Sequence, residues 1–416
     1  MVDPSTRCLN TAGIVRMKPS FIPVSMPDLS DLETRYATEA VASTWISSTG
    51  AFLDRFESEF AEASGTNFAL GTTSGTTALH LALAALGLGQ GDEVIVPSMT
   101  YIATANAVRY CGAEPVFVDI DPATWCLDPT AIEAAITPKT KGIIPVHLLG
   151  HPADMDPIMQ LAVTHGLWVV EDAAEATFAR YKGRLCGSLG TAGTFSFFGN
   201  KILTAGEGGA VTCNDESLRH RMALLRGQGM DPEKRYHFPI VGFNYRLTNV
   251  AAAILCGQMD RRESIIDRRN AILRLYAEEL ADVPGVAIRQ DAPWAETAPW
   301  MFSCLIDPAK FGCRRDDLAS ELAERGIDSR PMFIPIHRLP PYRQSAKKRR
   351  TVLPVTDRLG ALGIMLPTYP QLSDAEVLRI CSSVREIGQG HLSKRVAAQV
   401  HRLTPTQPAA QPRKAA

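Results

Sequence analysis

The sequence has almost no surplus of either charge, since 43 lysine and arginine residues stand against 44 aspartates and glutamates in 416 residues. A chain so balanced has no overall field that would draw it to nucleic acid or to an anionic membrane. Long apolar runs are also missing: none reaches the roughly 18 residues that a membrane-spanning helix needs, and the N-terminus lacks the apolar core of a signal peptide. We therefore expect a soluble, cytoplasmic protein that binds neither nucleic acid nor membrane.

Two kinds of motif are absent as well. The nine cysteines are scattered without a Cys-x-x-Cys pair, which predicts reduced, mostly structural thiols and gives no indication of a metal site. A Gly-x-Gly-x-x-Gly fingerprint between a strand and a helix is missing, because the glycines of "GLGQG" (Gly87–Gly91) follow a helical pattern and precede a strand. The sequence therefore does not favour a nicotinamide-dependent oxidoreductase.

What the sequence does contain is an alternation of strand and helix patterns. Between Phe68 and Asn214, β-branched runs such as "EPVFVD" and "LWVVED" alternate with helical patterns, which is typical of βαβ units around a mostly parallel sheet. From about Ala281, shorter strands mix with helices. We expect a large α/β domain over residues 21–260 and a smaller α+β C-terminal domain over residues 261–391.

The two ends of the chain are weakly patterned. The last residues, "VHRLTPTQPAAQPRKAA", are rich in proline, alanine, glutamine and basic residues, a composition that cannot bury a core. We expect a mobile segment over residues 1–20 and a disordered tail over residues 392–416.

Three features fall where strands of the predicted sheet end, which is the edge at which open parallel sheets bind ligands. The stretch "GTTSGTTALHL" runs into a helix near Gly75, whose free N–H groups and positive dipole end suit an anion. Asp172 closes the apolar strand "LWVVED", and an acid there is costly unless it meets a cation or a hydrogen-bond donor. Lys201 follows the apolar run "FSFF" with no acid beside it in the sequence.

Each feature has an ordinary structural explanation: an N-cap, a carboxylate that caps a loop, and a surface lysine. Together they meet the needs of pyridoxal phosphate, which requires a phosphate site, an anion that keeps the pyridine nitrogen protonated, and a lysine that binds the cofactor covalently. An amine is mostly protonated at pH 7, so this chemistry also requires burial or neighbouring charges that lower the lysine pKa. We therefore expect Lys201, Asp172 and the helix start to form one site.

At these residues the sequence resembles the DegT/DnrJ/EryC1/StrS family of sugar aminotransferases. The resemblance extends over about residues 21–390, and several independent motifs occur in the family's order: "STWISSTG", "SGTTALHLALAALGLGQGDEVIVPSMTYIATANA", "EDAAEA", "TFSFFGNK", "GEGGAV" and "GFNYRLTN". It implies the aspartate aminotransferase-like fold (fold type I), pyridoxal 5'-phosphate as cofactor, and a homodimer with shared active sites.

The resemblance also implies roles for single residues. Lys201 would bind the cofactor covalently and then act as base and acid in proton transfer, Asp172 would hold the pyridinium N–H, and Tyr101 would stack on the ring. The remaining expected site residues are Gly75, Thr76 and Ser196 at the cofactor phosphate, Asn244 reaching the phosphate of the neighbouring subunit, Glu175 near the cofactor's ring oxygen or the sugar, and Arg330 and His337 beside the sugar-nucleotide site. For the last two, a purely structural hydrogen bond is the alternative.

The implied reaction is the transfer of an amino group from L-glutamate to a nucleotide-linked keto sugar. Within the family, the sequence looks most like the members that convert GDP-4-keto-6-deoxy-D-mannose to GDP-perosamine, through "FSFFGNKILTAGEGG", "RGQG" and "PIH". The alternative within the class is another keto sugar, either dTDP-linked or carrying a 3-keto group. A non-enzymatic regulator that binds pyridoxal phosphate is a remote alternative, since neither end has the helical pattern of a DNA-binding domain. Relatives with histidine in place of the lysine are dehydratases, so Lys201 favours transamination.

Overall fold

The computed structural model describes residues 21–231 and 233–403, and its largest feature is a seven-stranded sheet. The strands in chain order are β1 Phe68–Thr72, β2 Glu93–Pro97, β3 Glu114–Val118, β4 Thr140–Ile143, β5 Trp168–Asp172, β6 Arg180–Tyr181, β7 Arg184–Leu185, β8 Ala192–Ser196, β9 Gly209–Cys213, β10 Val286–Ile288, β11 Ala295–Glu296, β12 Ser303–Ile306, β13 Arg330–Pro331 and β14 Gly363–Met365. The large sheet has the order β1-β9-β8-β5-β4-β2-β3, and only β9 runs antiparallel to its neighbours among these strands. A mostly parallel sheet was expected, and the structure has one.

Helices cover both faces of this sheet. In chain order the α-helices are α1 Asp31–Ala42, α2 Ala51–Ala63, α3 Gly75–Ala85, α4 Ala103–Tyr110, α5 Met155–His165, α6 Glu216–Arg226, α7 Asn249–Asp260, α8 Arg262–Leu280, α9 Pro308–Phe311, α10 Arg315–Glu324, α11 Pro340–Lys348, α12 Pro354–Leu362 and α13 Asp374–Leu403. In β2, Ile95 packs into one buried cluster, whereas Val94 and Val96 pack into the other. Strands buried on both faces read as continuous apolar runs, which is why these segments show little alternation.

The C-terminal part forms a second, smaller α+β unit. Its antiparallel sheet has the order β10-β12-β14-β13, and helices α8, α10 and α13 pack around a separate buried cluster. Helix α13 continues to Leu403, past the expected limit of the domain at residue 391. Residues 1–20 and 404–416, which hold the expected mobile segment and most of the expected tail, lie outside the described residues. Within the described part of the chain, no helix is both long and apolar enough to cross a membrane.

An aromatic cluster joins helix α2 to the strand that leads to Lys201. The ring of Phe60 in α2 is fully buried and lies edge-on to Phe195 in β8 at 5.0 Å and to Phe197 at 5.3 Å between ring centres. Phe197 directly follows β8, so the same cluster supports the start of the lysine loop. Aromatic pairs in this geometry add to the stabilisation that comes from buried area.

Replacing Phe60 by alanine would leave a cavity in this cluster. We expect Phe60→Ala to lower the free energy of unfolding by about 3–5 kcal/mol, the usual cost of removing a fully buried phenylalanine side chain. Urea unfolding followed by circular dichroism measures the change. Val163→Ala is the control, because Val163 in α5 is 75% exposed, and its effect should stay within about 0.5 kcal/mol. Equal effects of the two substitutions would contradict the packing described here.

Candidate active site

A cleft of about 940 Å³ lies at the carboxyl ends of the parallel strands, between the large sheet and the small domain. The small domain contributes residues such as Trp300 and Phe333 to its wall. Eight of the expected site residues line it: Gly75, Thr76, Tyr101, Asp172, Glu175, Ser196, Lys201 and Arg330. The strand ends that the sequence singled out therefore do meet in one place.

One end of the cleft is the N-terminus of α3. Ser74 caps this helix, and its Oγ accepts from the Thr77 N–H at 3.2 Å. The first N–H groups of a helix have no carbonyl partner within it, so those of Gly75 and Thr76 are available to an anion, which the helix dipole also favours. A Cβ atom at Gly75 would lie 2.8 Å from Cβ of Ser196, so only glycine lets the helix start approach β8 this closely. This helix start, called the α3 cradle below, has the N–H donors that an anion such as a phosphate needs.

Asp172 lies at the end of β5 and is buried. The Thr104 hydroxyl donates to its Oδ2 at 2.7 Å, and the Ala174 N–H donates to its Oδ1 at 3.2 Å. Burial raises the pKa of Asp172, while these two donors and the charge of Lys201 act in the opposite direction. The carboxyl is therefore held in one orientation and is ready to accept a hydrogen bond from a cationic N–H.

A fully satisfied polar group braces the strand behind Asp172. The carboxylate of Glu171 accepts from Nε2 of His147 at 2.9 Å and from the N–H groups of Gly187, Leu189 and Gly190. Nδ1 of His147 in turn accepts from the Ala153 N–H. With the Cys186 thiol, these side chains have the composition of a metal site. However, the lone pairs of Glu171 and His147 are already used, so the group is a structural brace.

Lys201 follows β8 in a loop that is tied down on both sides. Its ammonium group lies 4.0 Å from the centre of the Trp300 ring, and the Trp300 indole N–H donates to the Asn200 carbonyl at 2.8 Å. The Lys201 carbonyl accepts from the buried guanidinium of Arg269 at 3.4 Å. Burial lowers the pKa of Lys201, while the charges of Glu175 and Asp172 raise it. The lysine is thus partly shielded from bulk water, and its loop is fixed in position.

Glu175 is the second buried carboxyl beside the lysine. The Leu149 N–H donates to its Oε2 at 2.8 Å. Burial raises the pKa of Glu175 to about 7, against the opposing charge of Lys201. Two ionised carboxyls close together in a poorly solvated place are costly, even with an ammonium group beside them. Glu175 relieves this cost, because it can take up a proton near neutral pH.

The other expected residues differ in their placement. Tyr101 is exposed at the cleft, edge-on to Phe333 at 6.1 Å between ring centres, and Arg330 pairs with Asp328 at 3.1 Å. Asn244 is exposed and does not line this chain's cleft.

His337 is buried and does not line the cleft: its Nδ1 is 2.8 Å from the Ser98 hydroxyl, and its Nε2 is 3.3 Å from Asp357. Its ring therefore fastens the small domain to the end of β2, which is the structural alternative for this residue.

Known proteins of one family resemble this chain over most of its length. The pattern of the DegT/DnrJ/EryC1/StrS aminotransferase family matches residues 27–385. The chain belongs to this family. It is similar to the GDP-perosamine synthase of Caulobacter vibrioides, with 47% identity over 88% of this chain and 98% of that protein. The GDP-perosamine synthase of Escherichia coli O157:H7 is 43% identical over the same shares. The solved structure of S. venezuelae DesV is 38% identical, with a TM-score of 0.82 over 89% of this chain and 99% of that chain.

The expected family, fold and enzyme class are thereby confirmed: the protein is a pyridoxal phosphate-dependent aminotransferase of the DegT/DnrJ/EryC1/StrS family. The residues of the cleft also fit that cofactor. The N-terminus of α3 offers N–H groups for its phosphate close to Ser196, an approach that needs glycine at position 75, and Asp172 suits its pyridine nitrogen. Moreover, Oδ1 of Asn200 is buried at the cleft without a hydrogen-bond partner among the described residues.

The close approach at Gly75 can be tested directly. We expect Gly75→Ala to weaken pyridoxal phosphate binding at least tenfold, or about 1.4 kcal/mol, because the new methyl group pushes the helix start away from Ser196. Absorbance titration of the cofactor-free protein measures the affinity. Gly89→Ala is a matched control, because a Cβ atom at Gly89 meets nothing within 4 Å. Wild-type affinity in Gly75→Ala would contradict the α3 cradle.

Proposed function

We propose that this aminotransferase moves the amino group of L-glutamate to a nucleotide-linked keto sugar, GDP-4-keto-6-deoxy-D-mannose, and so makes GDP-perosamine. The observation that carries the proposal is the shielded Lys201 between Asp172 and Glu175, in a cleft whose volume exceeds what the cofactor alone would fill. The similarity to two GDP-perosamine synthases, over nearly their whole length, supports the choice of acceptor.

Each side chain of the cleft would have its own role toward the cofactor or the substrate. When bound, pyridoxal phosphate supplies an aldehyde that condenses with amines and a ring that withdraws electrons from the adjacent carbon. The N–H groups of Gly75 and Thr76 and the Ser196 hydroxyl would hold its phosphate, Asp172 would keep the proton at its ring nitrogen, and Tyr101 would cover the ring. Nζ of Lys201 would remove the proton from the substrate carbon that bears the amino group and would deliver a proton to the cofactor's aldehyde carbon, since a lysine with a lowered pKa can do both.

Substrate contacts would come from the small domain. Arg330 lines the cleft and retains solvent contact beside Asp328, so it is a cation that a nucleotide diphosphate could reach. A contact between His337 and the sugar stays a prediction, and so does the cytoplasmic location. Glu175 would face the cofactor's ring oxygen or the sugar with a carboxyl that can be charged or neutral near pH 7.

The lysine and the acceptor can be tested in one series. We expect the wild type to show a visible absorption band of lysine-bound cofactor that L-glutamate removes, and Lys201→Ala to lack that band. With wild type, 2-oxoglutarate release beyond one equivalent per site should require GDP-4-keto-6-deoxy-D-mannose in a panel that includes dTDP-linked 4-keto and 3-keto sugars. An unchanged band in Lys201→Ala would overturn the role of the lysine. Turnover of a dTDP sugar without turnover of the GDP sugar would overturn only the acceptor.

We further propose a homodimer in which Asn244 serves the partner's cleft. Asn244 is exposed, and exposed apolar side chains occur on adjoining segments, including Trp45 and Ile46 on one side and Tyr236 and Phe238 on the other. The Trp45 carbonyl accepts from Asn249 at 2.7 Å, which joins the first of these segments to the Asn244 region. A second copy of the chain would cover these apolar groups.

Complementation tests the shared site. Lys201→Ala and Asn244→Asp should each be inactive, the second because its carboxylate would repel the cofactor phosphate. Their co-expression should restore about a quarter of wild-type activity, since half of the dimers would be mixed and each mixed dimer would have one intact site. Activity of the co-expressed pair no higher than that of either variant alone would contradict shared sites. Wild type co-expressed with the double variant Lys201→Ala/Asn244→Asp gives the reference for mixing, since each mixed dimer of that pair would have no intact site.

A further inference from the structure

Arg289 extends from the small domain into the wall of the large one. It follows β10, and only 10% of its side-chain surface is exposed. Its Nη1 donates to the Leu148 carbonyl at 3.0 Å and its Nη2 to the Leu149 carbonyl at 3.2 Å, while its Cζ lies 5.4 Å from the centre of the Trp125 ring. Arginine remains charged at any working pH. A permanent positive charge is therefore fixed to this loop.

The loop that Arg289 holds has an unusual backbone. Leu149 has a φ of 53°, in the left-handed region that side chains other than those of glycine, asparagine and aspartate rarely adopt. Gly150 follows with a φ of 82°, and a Cβ atom there would lie 1.9 Å from the Ala298 carbonyl oxygen. A backbone in these conformations persists only where its surroundings determine it. The two hydrogen bonds from Arg289 are such a constraint.

The same loop holds Glu175. The N–H of Leu149 donates to Glu175 at 2.8 Å, while the carbonyl of Leu149 accepts from Arg289, so one residue connects the two side chains. The charges of Lys201 and Arg289 favour the carboxylate form of Glu175, and the charge of Asp172 disfavours it. The Cys126 thiol is also near, but burial raises its pKa to about 12 and it stays neutral. Arg289 is thus one of two cations that act on this carboxyl.

We propose that Arg289 is a positioning residue of the active site: through Leu149 it fixes the N–H donor of Glu175, and its charge favours the ionised form of that carboxyl. The placement of the small domain then controls the charge inside the cleft, because the guanidinium belongs to the small domain and the carboxyl to the large one. The role of Glu175 toward the cofactor rests on the proposed function. The charge of Glu175, however, can be measured without any turnover.

Infrared titration of the full-length protein tests the proposal. The C=O stretch of the protonated Glu175 carboxyl is followed from pH 5 to pH 9, with and without bound cofactor, and is assigned by its loss in Glu175→Gln. The cofactor-free wild type should titrate near pH 7. Removing a nearby positive charge disfavours the carboxylate, so Arg289→Gln should raise the midpoint by roughly one pH unit. Arg289→Lys keeps the positive charge but cannot hold both carbonyls in the same way, so we expect a smaller rise in the Glu175 midpoint.

Arg315→Gln is the matched control. Arg315 is also 10% exposed and donates to two carbonyls of the small domain, those of Gly360 and Gly363. This variant should leave the Glu175 midpoint unchanged. A wild-type midpoint in folded Arg289→Gln would overturn the proposal; if that variant does not fold, a wild-type midpoint in Arg289→Lys would do so. If Arg289→Gln raises the Glu175 midpoint and the wild-type enzyme fails to transfer amino groups, the proposed function is contradicted and this inference is still supported.

Discussion

The ammonium group of Lys201, held against an indole ring and faced by two buried carboxyls, is the interaction on which the rest of the cleft depends. Charges removed from water are costly unless they are paired or hydrogen-bonded. At this site the two carboxyls differ in the number of hydrogen bonds that offset the cost of burial. Burial raises the pKa of both carboxyls, that of Glu175 to about 7, and the charge of Lys201 acts against this at both. The pair is asymmetric in its hydrogen bonds, since two donors hold Asp172 and one N–H holds Glu175.

Buried polar groups beneath the cleft hold Asp172 and the Lys201 loop in place. The brace of Glu171 and His147 fixes the strand whose last residue is Asp172, and its buried polar groups are satisfied by protein donors. Arg269 holds the carbonyls of Lys201, Trp300 and Thr368, so the lysine loop and the small domain share one buried cation. Burial lowers the pKa of Arg269 to about 10, which still leaves it charged. The two domains are thus fastened together at the point where the cleft is formed.

Much of the site could be predicted from the sequence, because its main residues follow strands of one parallel sheet. Asp172, Ser196 and Lys201 come directly after apolar runs, and Gly75 begins a helix after another. Thr104 could not be found this way, since it contacts Asp172 across 68 residues, and Trp300 contacts Asn200 across 100. The position of Thr104 depends on how α4 packs beside the large sheet, and that of Trp300 on how the small domain packs. The ring of His337 contacts Ser98, which is 239 residues away in the sequence. The motif around His337 therefore could not show which way the ring faces.

The contact between Trp300 and Lys201 has a practical consequence. The chain has five tryptophans, and one of them lies 4.0 Å from the lysine ammonium. A chromophore held at that lysine would accept excitation energy from this indole, so the intrinsic fluorescence of the protein would dim as the lysine is loaded and recover as it is freed. The side chain that shields the lysine from water thereby gives the molecule an optical signal of its own, without any added label.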